Sequence, residues 1–108
     1  MATKTKKPRK SKAMRFMDKL LGKPLTFGGL LQNIRETDEH SLASMAKILG
    51  VARGHVCDIE KGRRGVSPER AAKWADALGY PAALFVQLAL QAQVDEAGLR
   101  YRIEVKAA

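Results

Sequence analysis

Residues 41–62, SLASMAKILGVARGHVCDIEKG, constrain the fold more tightly than any other stretch of this chain. Ser41 stands where a helix can begin, because its hydroxyl can accept an orphan backbone N–H of the first turn. Met45, Ala46 and Leu49 then recur at i, i+1 and i+4, which makes one buried stripe at helical period. Gly50 falls where the chain must leave that helix, and glycine takes up left-handed geometry without a Cβ penalty. Val51 can plug the corner. A second short helix is expected from about Ala52, with Val56 and Ile59 inward and Gly62 closing it.

The flanks continue the helical reading. A helix is expected from near Thr26, a possible cap, to about Thr37, with Phe27, Leu30, Leu31 and Ile34 inward; DEHS at 38–41 is a polar connector. Ser67-Pro68-Glu69 opens another helix with a cap, a proline at the first helical position and an acid near the positive end of the dipole. Ala71, Trp74, Ala75 and Leu78 form its inner face and Gly79 stops it. Pro81 starts a fifth helix through about Gln93, with Leu84, Phe85, Leu88 and Ala92 inward.

Charge is distributed unevenly. The 108 residues carry a net +9. Residues 1–24 hold nine basic residues against Asp18, so the remaining 84 are almost neutral. Residues 1–12 contain almost nothing that can pack and are expected to be a disordered basic tail. Such a tail either seeks phosphates, as some arms do in the minor groove, or only solubilises. AMRFMDKLL at 13–21 has Met14, Phe16, Met17, Leu20 and Leu21 for two apolar turns, too short to stand alone, before Gly22 and Pro24 break it. One small domain with tails is the expectation: tail 1–12, short helix and linker 13–24, helical domain 25–93, and a turn and strand at 94–108. The folded part buries only ~60% of its unfolded surface, a marginal core that dimerisation would help.

At the C-terminus the period changes. Asp95-Glu96-Ala97-Gly98 reads as a turn. LRYRIEVK then alternates, with Leu99, Tyr101, Ile103 and Val105 on one side and Arg100, Arg102, Glu104 and Lys106 on the other. A lone strand in a helical chain lacks a ladder partner. A second copy is the simplest one, through an isologous two-fold ribbon. A foreign sheet, or a tail that only looks alternating, are the other readings.

Two short helices joined by a tight turn form the unit that carries a recognition helix into the DNA major groove. The chain resembles the lambda-repressor/Cro-like (XRE) helix-turn-helix family over about residues 25–90. The matching residues are Arg35, Ser41, Met45-Ala46, Leu49-Gly50-Val51, Val56, Ile59-Glu60, Gly62, Pro68, Ala75, Leu78 and Gly79. Two positions depart from the family pattern: Leu42 stands where a phosphate-touching Gln is usual, and Ala52 where Ser or Thr usually opens the recognition helix. The resemblance implies a mainly α, five-helix lambda-repressor-like DNA-binding domain. The strand also resembles the arrangement in antitoxins of the HipB kind.

Carried over residue by residue, the resemblance puts Arg53, Gly54, His55, Cys57 and Asp58 at base edges. Arg53 leads, since a planar fork can donate two bonds to guanine O6 and N7. Asp58 either accepts from a cytosine N4 or pairs with a nearby arginine, and Cys57 can equally be a half-buried thiol. Ser41, Lys61, Arg63, Arg64 and Lys73 are expected at phosphates. Arg35 and Glu60 are implied to pair inside the domain, a geometry-fixing pair with little net stability. Leu99, Tyr101, Ile103 and Val105 are the dimerisation candidates.

Nothing suggests catalysis. His40 and His55 are the only histidines and lack a metal-site or triad pattern. Gly28-Gly29 lacks the spacing and lysine of a phosphate loop. No cofactor or metal is expected, no segment approaches the ~20 apolar residues of a membrane span, and a single cysteine fits a reducing cytoplasm. The leading expectation is a homodimeric repressor on a palindromic double-stranded DNA operator. A more specific version is an autoregulating antitoxin that also binds a cognate toxin. The alternative is an interaction adaptor resembling the multiprotein bridging factors, with incidental DNA binding.

Overall fold

Three of the five helices open on a hydroxyl side chain that caps the first turn. The computed structural model describes residues 25–108, and among them it has α1 (Phe27–Thr37), α2 (Leu42–Leu49), α3 (Arg53–Glu60), α4 (Pro68–Leu78) and α5 (Ala82–Glu96), with no strand. Thr26 Oγ1 accepts from Gly29 N at 3.0 Å, Ser41 Oγ from Ser44 N at 3.0 Å and Ser67 Oγ from Arg70 N at 3.2 Å. Each bond satisfies one of the N–H groups that a helix start leaves orphaned. Ala52 opens α3 without a side-chain cap. The basic tail and the 13–21 segment lie outside the described residues.

The turn between α2 and α3 rests on Gly50, whose φ of 73° lies in the left-handed region. That conformation lets Val51 N donate back to Ala46 O at 3.0 Å, closing a C-terminal cap that a β-carbon would strain.

One apolar core joins all five helices. Leu31 and Ile34 of α1, Met45 and Leu49 of α2, Val56 and Ile59 of α3, Trp74 and Ala75 of α4, and Phe85 and Leu88 of α5 are buried together. Phe27 meets Phe85 edge-on, with ring centroids 5.6 Å apart. Gly28 brings the α1 backbone onto the end of α3. A β-carbon at Gly28 would lie 2.2 Å from the Ile59 carbonyl oxygen and 2.9 Å from that of Glu60.

Two expectations at the C-terminus need correction. The fifth helix does not end near Gln93 but runs to Glu96, and the turn falls at Ala97-Gly98, where Gly98 has a φ of 77°. Acids at a helix C-terminus oppose the dipole and so read as turn residues. Here Gln91 Nε2 donates to Asp95 Oδ1 at 2.9 Å, across one turn, and supports the longer helix. The second correction concerns residues 99–106, which form no strand ladder. They run extended alongside α5, tied by two glutamine side chains. Gln91 Oε1 accepts from Ile103 N at 2.7 Å, Gln91 Nε2 donates to Tyr101 O at 2.8 Å, and Gln87 Oε1 accepts from Val105 N at 3.1 Å. Two extended residues rise about 6.6 Å and four helical residues about 6 Å, so glutamines four apart match every second amide.

Candidate nucleic-acid interface

The eight residues of α3 divide cleanly by helical position. Val56 and Ile59 face the core at 0% and 2% exposure, and Glu60 turns toward α1. Arg53 and Gly54 are exposed at the opening of the helix, and Cys57 and Asp58 are half-buried one turn later. At 100° per residue, Gly54, Cys57 and Asp58 occupy the arc opposite the core, and Arg53 lies on its flank. The base-edge candidates other than His55 therefore share one outward face.

His55 sits at the edge of that face, half-buried, with its ring 6.4 Å from and edge-on to that of Trp74. Trp74 is 4% exposed, and the Arg70 guanidinium lies 5.8 Å from its ring centroid. Burial pushes the His55 pKa below its ordinary value, and the positive charges of Arg64 and Arg70 push the same way, partly opposed by Asp58. The Arg70–Trp74–His55 cluster has no part in the sequence expectations, which place Trp74 in the core only. Arg70 and Trp74 are four apart on α4, so their pairing was legible; the approach of α3 to α4 was not.

Asp58 has a partner. Arg63 donates to Asp58 Oδ1 from its terminal nitrogen at 2.8 Å and from Nε at 3.1 Å, and the Arg63 backbone N–H bonds the Asp58 carbonyl at 2.8 Å. Of the two readings for Asp58, the arginine pair is the one the structure contains. It neutralises the only carboxylate on the outward face and holds the loop after α3 against that helix. Arg63 is thereby committed, while Lys61 and Arg64 beside it, and Lys73 on α4, stay exposed and have no ion-pair partner among the described residues. Ser41 is exposed and spends its hydroxyl on the α2 cap.

Beneath the face, Arg35 holds α3 to α1. Its Nε and a terminal nitrogen grip the two carboxylate oxygens of Glu60 at 2.6 and 3.1 Å, and its other terminal nitrogen reaches the His40 carbonyl at 3.2 Å. The side chains are only 16% and 7% exposed. Glu60 raises the Arg35 pKa through this hydrogen bond. The fork ties α1, the end of α3 and the loop before α2 into one unit.

The remaining candidates lie elsewhere. Leu99 and Tyr101 are exposed, and Ile103 and Val105 are half-buried on the C-terminal segment. Among the described residues no group of three or more His, Cys, Asp or Glu could hold a metal ion, and no helix is long and apolar enough to cross a membrane.

A family profile described as a helix-turn-helix domain matches residues 26–88, from the Thr26 cap to Leu88 on α5. The match spans more than half the chain and leaves the C-terminal segment outside it. Comparison with curated proteins returns no match.

Proposed function

The chain belongs to the helix-turn-helix domain family, and on that premise we propose that it is a sequence-specific DNA-binding transcriptional regulator of the lambda-repressor-like kind. It acts as a cytoplasmic, non-enzymatic homodimeric repressor on a palindromic operator. The observation that carries this reading is the outward face of α3: exposed Arg53 and Gly54 at its opening, its one carboxylate neutralised by Arg63, and Lys61, Arg64 and Lys73 around it. Arg53 reads a base edge through its planar fork, and the surrounding cations hold phosphates. Two copies place their α3 helices in successive major grooves about 34 Å apart and block polymerase sterically.

The C-terminal segment supplies the dimer contact. Extended backbone turns successive N–H groups to opposite sides, and those of Ile103 and Val105 face α5. The backbone groups of Arg102 and Glu104 therefore face away, and they have no partner among the described residues. An antiparallel pairing of two copies centred on Ile103 sets Arg102 opposite Glu104 of the second copy, twice, by the two-fold symmetry.

Selection from random duplexes tests the reading. Arg53→Ala should relax preference at one or two symmetric positions, and Arg64→Ala should weaken all sequences alike. A wild-type protein that enriches no sequence overturns it. The near-neutral charge of residues 25–108 favours a second reading, a protein-interaction adaptor. An antitoxin that represses its own operon is the more specific form of the first reading, with a toxin as additional partner.

A further inference from the structure

A groove of about 450 Å³ lies between the start of α1, the second half of α5 and the C-terminal segment, away from α3. Its apolar walls come from Leu25, Phe27, Leu88, Ala92, Leu99 and Tyr101. Asp95, Arg100 and Arg102 add charged groups at the same groove. Leu99 and Tyr101 on its rim are 50% and 67% exposed, two of only three large apolar side chains so exposed among the described residues. Large apolar groups gathered around one concavity mark a surface that something covers.

We propose that residues 13–21 of the same chain cover it, packing Phe16, Met17 and Leu20 against Ala92, Leu99 and Tyr101. Chain continuity selects this occupant. The described residues begin at Leu25, itself part of the groove wall. Only Gly22, Lys23 and Pro24 separate it from Leu21, so Leu21 lies within about 14 Å of Leu25. A tether that short gives an effective concentration in the millimolar range, about a thousandfold above a free partner at micromolar concentration. The segment also matches the groove in kind. It is too short to be a stable helix by itself and its apolar residues need a surface. Asp95 in the wall offers a carboxylate to Arg15 and Lys19, and Arg100 and Arg102 offer cations to Asp18. Docking there anchors the basic residues 1–12 at the α1–α5 end of the domain, whether or not the domain binds DNA.

Full-length protein, half of the molecules isotope-labelled, distinguishes the occupants by nuclear Overhauser contacts. The expected result is contact from the Phe16 ring to the Ala92 and Leu99 methyls within one chain. Contacts only between labelled and unlabelled molecules would assign the groove to a second copy and overturn the proposal, as would the absence of any Phe16 contact. As a second measurement, Phe16→Asp in the full chain should speed hydrogen exchange at the Leu99 amide at least about tenfold, the worth of one large buried apolar side chain. Exchange at Phe85 in the core should not change. An unchanged Leu99 rate also overturns the proposal.

Discussion

Gly28→Ala should destabilise the domain, although the same change in most exposed helices stabilises. Gly28 lies in α1 with its α-carbon against the end of α3, where an added β-carbon would stand 2.2 Å from the Ile59 carbonyl oxygen. An ordinary contact needs about 1 Å more, so α1 must retreat from α3 by that amount. A gap of 0.5–1 Å already forfeits a quarter to a half of a dispersion well, and overpacking costs about 1–3 kcal/mol. The upper part of that range, about 2–3 kcal/mol, applies here because the obstacle is backbone that cannot rotate away. Helix propensity returns at most about 1 kcal/mol for replacing glycine by alanine. The net expectation is a loss of about 1–2 kcal/mol, or roughly 4–16 °C in Tm for a domain of this size. Gly54→Ala is the matched control: it lies in α3, is exposed, and a β-carbon there meets nothing within 4 Å. Free of any clash, it should gain about 0.5–1 kcal/mol. Thermal unfolding followed by far-UV circular dichroism, and in parallel by fluorescence of the single tryptophan, Trp74, reads both variants; coincident curves license the two-state treatment. A Gly28→Ala protein as stable as wild type would refute the close approach of α1 and α3, and with it the account of how α3 is held.

Three further expectations follow from the same contacts. Arg35→Met leaves the half-buried Glu60 without its fork and should cost about 1–3 kcal/mol in urea unfolding, whereas Arg35→Met with Glu60→Leu should recover most of that loss; a double variant no better than the single would show that the pair is not the cause. His55, depressed by burial and by Arg64 and Arg70, should make stability fall as pH drops below about 6.5. Over that window the unfolded chain binds a proton that the folded one resists, so the loss completes as pH passes the lowered folded value, and a His55→Phe protein should lack this slope. For the proposed dimer, Arg102→Glu should raise the dissociation constant about 2- to 30-fold in sedimentation, from two cross-strand pairs of about 0.2–1 kcal/mol each, and adding Glu104→Arg should restore it. An unchanged constant in Arg102→Glu would remove the register centred on Ile103.

Local chemistry determined the helices. Thr26, Ser41 and Ser67 start them and Gly50 and Gly79 end them through bonds within a few residues, so their places were legible from the chain alone. The inward stripes were equally legible, because burial follows the helical period. The outward arc of α3 follows from the same period once Val56 and Ile59 are inward. What α3 rests on does not. The Asp58–Arg63 pair depends on how the loop after α3 folds back, and the edge-on His55–Trp74 contact on how closely α3 approaches α4. Gly28 reads as an ordinary helix residue until the Ile59 carbonyl is brought against it from 31 positions away. The C-terminal alternation was present in the sequence, but alternation says only which side chains share a side. Whether the backbone meets another strand or a row of side-chain amides is a matter of what lies beside it, and within one copy Gln87 and Gln91 of α5 were already spaced to take its N–H groups.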